Sequence, residues 1–124
     1  MSDELSKLPP NVQERLLRLQ QLQQTLQTIL AQKQQVEMEK TEVDQTLAEL
    51  AKTPDEAVIY KAVGSLLVKA EKAKVSADLT ERKSLLDTRS TVMARQEERI
   101  RAQVKESQTK LQEDLSPVSG QPLS

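Results

Sequence analysis

From Val12 onward, apolar residues recur along the chain at alternate steps of three and four. One set is Val12, Leu19, Leu26 and Leu47, with Lys33 and Lys40 in the same register. The other, three residues on, is Leu22, Ile29, Val36, Val43 and Leu50, with Arg15 in the equivalent earlier place. Leu16 and Leu30 widen the stripe by one position. A repeat of this kind held over about five heptads predicts a helix with a left-handed coiled-coil seam. The predicted helix covers residues 11–52, roughly 60 Å at ~1.5 Å per residue. Pro9-Pro10 marks its start, because proline is tolerated where the first helical N–H would be unpaired anyway. Glu14 is expected in the first turn, at the end of the helix dipole that favours an anion. Lys33 and Lys40 interrupt one side of the seam, so looser packing is expected mid-helix, with the lysine stems covering apolar surface.

A second helical pattern runs from about residue 71 to 115. Val75, Leu79, Leu86, Met93, Ile100, Val104, Leu111 and Leu115 advance mostly by fours and sevens, with Leu85 and Val92 alongside. Asp78–Arg82, Glu97–Arg101 and Glu106–Lys110 are acid-to-base pairs four residues apart, each worth about 0.2–0.5 kcal/mol on an exposed helix. They read as solvated-face decoration. Ser116-Pro117 ends the pattern, and residues 1–8 and 116–124 are expected to be mobile ends.

Between the two patterns, residues 54–69 stop reading as helix and read as strand. Val58-Ile59-Tyr60 and Leu66-Leu67-Val68 are β-prone runs, and Gly64-Ser65 suits a two-residue turn with glycine first. Pro54 closes the preceding helix. The predicted hairpin spans about residues 57–69 and reverses the chain. The fold class that follows is mainly α: a long antiparallel two-helix coiled coil with one central β-hairpin, in a single domain of 124 residues. Residues 11–51 carry four bases against six acids, and residues 69–110 carry eleven against seven. That balance favours pairing of the two helices.

Composition narrows the chemistry. The chain has no Cys, His, Trp or Phe and a single tyrosine, Tyr60. A zinc finger, a disulfide framework, a thiol nucleophile and an imidazole base are therefore excluded. Two glycines, Gly64 and Gly120, leave no Gly-rich phosphate loop. No catalytic, cofactor-binding or metal-ligating residue is expected. A formal net charge of −1 lacks the electrostatic footprint of a nucleic-acid binder. Arg82, Lys83, Arg89, Arg95, Arg99 and Arg101 are interleaved with Asp87, Glu97 and Glu98 and read as a solvated face. No apolar run approaches the ~20 residues of a membrane span. The acidic start Met1-Ser2-Asp3-Glu4 is unlike a secretory signal, so a cytoplasmic location is expected.

The hairpin implies an assembly. An isolated two-stranded hairpin is marginal in water, and this one has apolar residues on both faces: Val58, Ile59, Tyr60 and Val63 on the first strand, Leu66, Leu67 and Val68 on the second. Its edges offer unpaired backbone groups to another chain. A larger sheet or barrel built from hairpins of several subunits is the economical solution, and a hairpin folded back on its own helices is the alternative.

The tract Val58-Ile59-Tyr60-Lys61-Ala62-Val63-Gly64-Ser65-Leu66-Leu67-Val68-Lys69, with Pro54 and Asp55 upstream, resembles the hairpin core of β-class prefoldin subunits of the archaeal type. Together with the Pro-Pro start and the Gln-rich first helix, the resemblance spans roughly residues 9–115. It implies an ATP-independent chaperone without cofactors, built as a hexamer of two α-class and four β-class subunits whose hairpins form an oligomeric β-barrel body. Unfolded polypeptides would be held at the coiled-coil tips and passed to a group II chaperonin. By position, the hairpin residues 58–69 would supply body strands. The tips would use Leu5, Leu8, Val12, Leu16, Leu17, Leu111, Leu115 and Val118. Aliphatic side chains beyond the needs of a two-helix seam suit weak capture of many clients, at about 25 cal/mol per Å² of apolar area, multiplied by several tips acting together. Plain coiled-coil packing is the alternative for each. The competing function is a structural or tethering coiled-coil adaptor, which would need no strand-forming tract in its middle.

Overall fold

The computed structural model describes residues 7–115; the ends expected to be mobile, and with them Leu5 and Val118, lie mostly or wholly outside these residues. Four elements follow in order: α1 (Pro10–Lys52), β1 (Ile59–Val63), β2 (Leu66–Ala70) and α2 (Lys72–Leu115). The amides of Val12 and Gln13 bond to the Pro9 carbonyl, and the Gln13 side chain donates to Leu8 O. The two amide bonds satisfy donors of the first turn of α1 that have no partner within the helix. With the helix starting at Pro10, its first turn holds no acid, so Glu14 lies beyond the position expected for it. The described residues divide into two compact units. One contains the helix residues up to Gln32 and from Met93 onward, and the other is Lys33–Val92.

In the first unit, Val12, Leu22 and Ile29 of α1 are buried. Leu19, Leu26 and Leu30 of α1 are half-buried, as are Met93, Ile100, Val104 and Leu111 of α2. The seam position of Arg15 is explained by its partner, since Arg15 Nε donates to Asp114 Oδ2 on α2. Glu97–Arg101 and Glu106–Lys110 form as intrahelical pairs, at 2.7 and 3.0 Å.

In the second unit, Val36, Val43 and Leu50 of α1 are buried, and Leu86 of α2 is 0 % exposed. At Lys40 the seam is bridged by polar contacts. Lys40 Nζ lies 3.1 Å from Asp87 Oδ1 across the seam and 3.7 Å from Glu37 on its own helix. Ser90 donates to the same Glu37 at 2.8 Å, and Lys83 pairs with Asp44 at 2.8 Å. The hydrogen bond that Lys40 donates to Asp87 is the main reason its ammonium is held above the ordinary lysine value, with Glu37 adding to it and desolvation opposing it. Asp44 raises Lys83 in the same way. The expected Asp78–Arg82 pair does not form: Arg82 donates instead to Glu39 on α1, at 2.6 Å. Leu85 and Val92 are exposed rather than seam residues.

Candidate functional site

The hairpin is rooted in the end of α1. Thr53 N bonds to Leu50 O and Ala57 N to Pro54 O, so the helix closes with a tight turn around Pro54 and releases the chain into β1. Five pairs set the antiparallel register: Ile59↔Ala70, Tyr60↔Lys69, Lys61↔Val68, Ala62↔Leu67 and Val63↔Leu66. Only Gly64 and Ser65 remain for the turn. Gly64 has φ +62°, and no other described residue has positive φ, which is the backbone of a glycine-first hairpin turn.

Cross-strand partners share a face. One face therefore carries Ile59, Lys61, Val63, Leu66, Val68 and Ala70, and the other Tyr60, Ala62, Leu67 and Lys69. Neither face is covered. Val58, Tyr60, Val63, Leu66, Leu67 and Val68 are all exposed, Leu67 at 73 %, and Ile59 is half-buried. Monomeric proteins rarely leave so continuous an apolar patch open, and such patches mark interaction surfaces. The alternative of a hairpin folded back on its own helices is not adopted.

A single side chain ties the two hairpin roots together. Lys72, the first residue of α2, places Nζ 2.7 Å from the Thr53 carbonyl and 3.0 Å from Asp55 Oδ1. A cation at the N-terminus of its own helix is unfavourable, but here it sits at the C-terminal end of α1, where the dipole and an unpaired carbonyl favour it. Sequence reading missed this contact. Its signal was the short spacing of Thr53, Asp55 and Lys72 from the hairpin, which brings them level once the register is known.

At the other end of the chain, the tip candidates separate. Leu17 and Leu115 are open, at 59 % and 55 % exposed. Leu8, Leu16 and Leu111 are half-buried. Val12 is 1 % exposed and packs into the first unit instead of facing solvent. Among the described residues there is no group of three or more acids that could hold a metal ion. No described helix is long and apolar enough to cross a membrane, and among the described residues no buried side-chain polar atom lacks a hydrogen-bond partner.

Comparison with known proteins agrees with this geometry. The family described as Prefoldin subunit matches residues 13–117. The prefoldin subunit beta of Archaeoglobus fulgidus is 46 % identical over 116 residues, covering 94 % of this chain and all of that protein. The prefoldin subunit beta of Methanothrix thermoacetophila is 45 % identical over 109 residues, covering 88 % of this chain and 91 % of that one. The crystal structure of the prefoldin beta subunit from Thermococcus strain KS-1 superimposes with a TM-score of 0.76 at 40 % identity, covering 86 % of this chain and 93 % of that one. With helix, exposed hairpin and helix in the same order and relatives of this similarity along nearly its whole length, the chain belongs to the prefoldin subunit family, in its β class.

Proposed function

We propose that this β-class subunit works in an ATP-independent holdase: its hairpin joins an oligomeric β-barrel body with α-class partners, and the far ends of its helices capture unfolded polypeptide for transfer to a group II chaperonin. The observation that carries the reading is the hairpin with both apolar faces open. A two-stranded sheet with this exposure is not stable alone, and strands from other subunits would satisfy its edges and cover its faces. A hexamer of two α-class and four β-class subunits is the assembly implied by the family, and the cytoplasm its expected location. Leu17 and Leu115 are the aliphatic contacts we assign to capture, with Leu8, Leu16 and Leu111 exposed further as the helix ends fray and with Leu5 and Val118 beyond them. Val12 would contribute only after such fraying.

The test is light scattering of a chemically unfolded, aggregation-prone protein diluted into this chain without nucleotide, with and without an α-class partner. Suppression at near-stoichiometric amounts is expected. Removing residues 1–9 and 112–124 should leave the oligomer intact and weaken suppression. A well-formed oligomer that suppresses nothing with either partner set would move the protein to the tethering-adaptor reading.

A further inference from the structure

We infer that the polar half of the seam in the Lys33–Val92 unit is a pairing-specificity device: it commits α1 to the α2 of its own chain and bars it from pairing with the α1 of a neighbouring copy. The inference rests on the proposed assembly in one respect, namely that neighbours joined through their hairpins hold their α1 helices side by side and parallel.

Taken alone, α1 is well suited to pair with itself. Its two heptad sets are apolar nearly throughout, and in a parallel pair each position of a set packs against its own copy. Lys33 and Lys40 are the interruptions within one set, and self-pairing would bring each against an identical ammonium. The flanks oppose self-pairing too. Glu39 and Asp44 occupy the two positions that face one another across a parallel pair, five residues apart on opposite helices, so acid would meet acid. In the observed pairing Lys40, Glu39 and Asp44 are matched, and Glu37 beside them finds a donor. Lys40 meets Asp87 at 3.1 Å, Glu39 meets Arg82 at 2.6 Å, Asp44 meets Lys83 at 2.8 Å, and Glu37 accepts from Ser90 at 2.8 Å. Lys40, Glu39 and Asp44, which a self-pair would set against like charges, each find an opposite charge on α2. A polar or charged seam residue that costs stability and selects the partner is a known use of such positions.

The chain has no cysteine, so a single introduced thiol reports the pairing directly. Val43→Cys lies in the apolar set of α1. In a parallel α1–α1 pair two such thiols face each other, whereas in the α1–α2 pairing each thiol is alone. Under mild oxidant, the Val43→Cys chain is expected to stay predominantly uncrosslinked. Adding Lys33→Leu and Lys40→Leu should shift it predominantly to disulfide-linked dimer, with helical content and melting temperature kept or raised. Leu85→Cys, on the exposed face of α2, gives the collisional background and should not respond to the lysine changes. Equal cross-linking with and without the lysines overturns the inference, as does a helical, soluble lysine-free chain that stays uncrosslinked. If the lysine-free chain is insoluble, salt decides with the seam intact. Raising ionic strength from about 0.01 M to about 1 M should increase Val43→Cys dimers relative to Leu85→Cys dimers as the repulsion is screened, and a flat ratio overturns the inference. Native mass under reducing conditions reads hairpin assembly separately, so loss of the oligomer counts against the proposed function and not against the pairing rule.

Discussion

Replacing Gly64 with valine isolates the backbone term of the hairpin. A Cβ built at Gly64 meets no atom within 4 Å, so the substitution causes no clash with the rest of the chain. What remains is the conformation: φ +62° is strained for any residue with a Cβ, and more so for a β-branched one. The cost is about 1–3 kcal/mol for a residue held in such a region. At tenfold per ~1.4 kcal/mol, this is roughly 5- to 150-fold against the closed turn. In an assembly built from several hairpins the cost recurs in every copy. Helix content should hardly move, because α1 and α2 contain 43 and 44 residues and neither includes the turn. The assay is therefore native mass across a dilution series, with far-ultraviolet circular dichroism on the same samples. Gly64→Val should dissociate at higher protein concentration than the parent while keeping its helical signal. Ser65→Ala is the control, since Ser65 has no positive φ and should dissociate like the parent. A Gly64→Val oligomer with the parent's dilution profile would refute the turn assignment.

Other outcomes follow from single contacts. Lys72→Met should cost about 1–2 kcal/mol, from loss of the charged hydrogen bond to the Thr53 carbonyl, read as a lower denaturant midpoint. Asp55→Ala should cost little, because the Asp55 side chain is 90 % exposed and exposed pairs contribute about 0–1 kcal/mol. Equal losses for the two would contradict the clasp. Leu86→Ala removes a fully buried side chain and should cost about 2–5 kcal/mol, seen as a lower thermal midpoint, whereas Leu85→Ala next to it should be nearly neutral. Lys40 and Lys83 are raised above the ordinary value of 10.5 by Asp87 with Glu37, and by Asp44. The stability these lysines add is present in full below that value and is lost as pH rises through the raised one. Thermal midpoints should therefore fall above about pH 10.5, and less steeply in Lys40→Met; an identical alkaline slope in that variant would remove Lys40 from the explanation.

What was legible in the sequence follows from what periodicity encodes. The alternation of three and four records which face of a helix is buried, and Leu22, Ile29, Val36, Val43 and Leu50 are the buried face of α1. The switch to β-branched residues around Gly64-Ser65 marked the hairpin and its turn type for a similarly local reason, since φ at one glycine decides it. The cross-helix polar contacts were not legible, because each depends on two residues far apart whose relation is set only by the register. Arg82 shows the difference. Its local partner Asp78 sits at the favourable helical spacing, yet it bonds to Glu39, 43 residues away. Lys40 shows it again: read along its own helix it is a defect in the seam, and read across the register it is the partner of Asp87. Once the turn at Gly64-Ser65 is taken as the mirror point, Lys40 with Asp87, Asp44 with Lys83 and Glu37 with Ser90 all come within two residues of level, with the same offset. A local turn residue thus determines which distant charges meet. The seam's apparent fault at Lys40 is therefore evidence about its pairing partner.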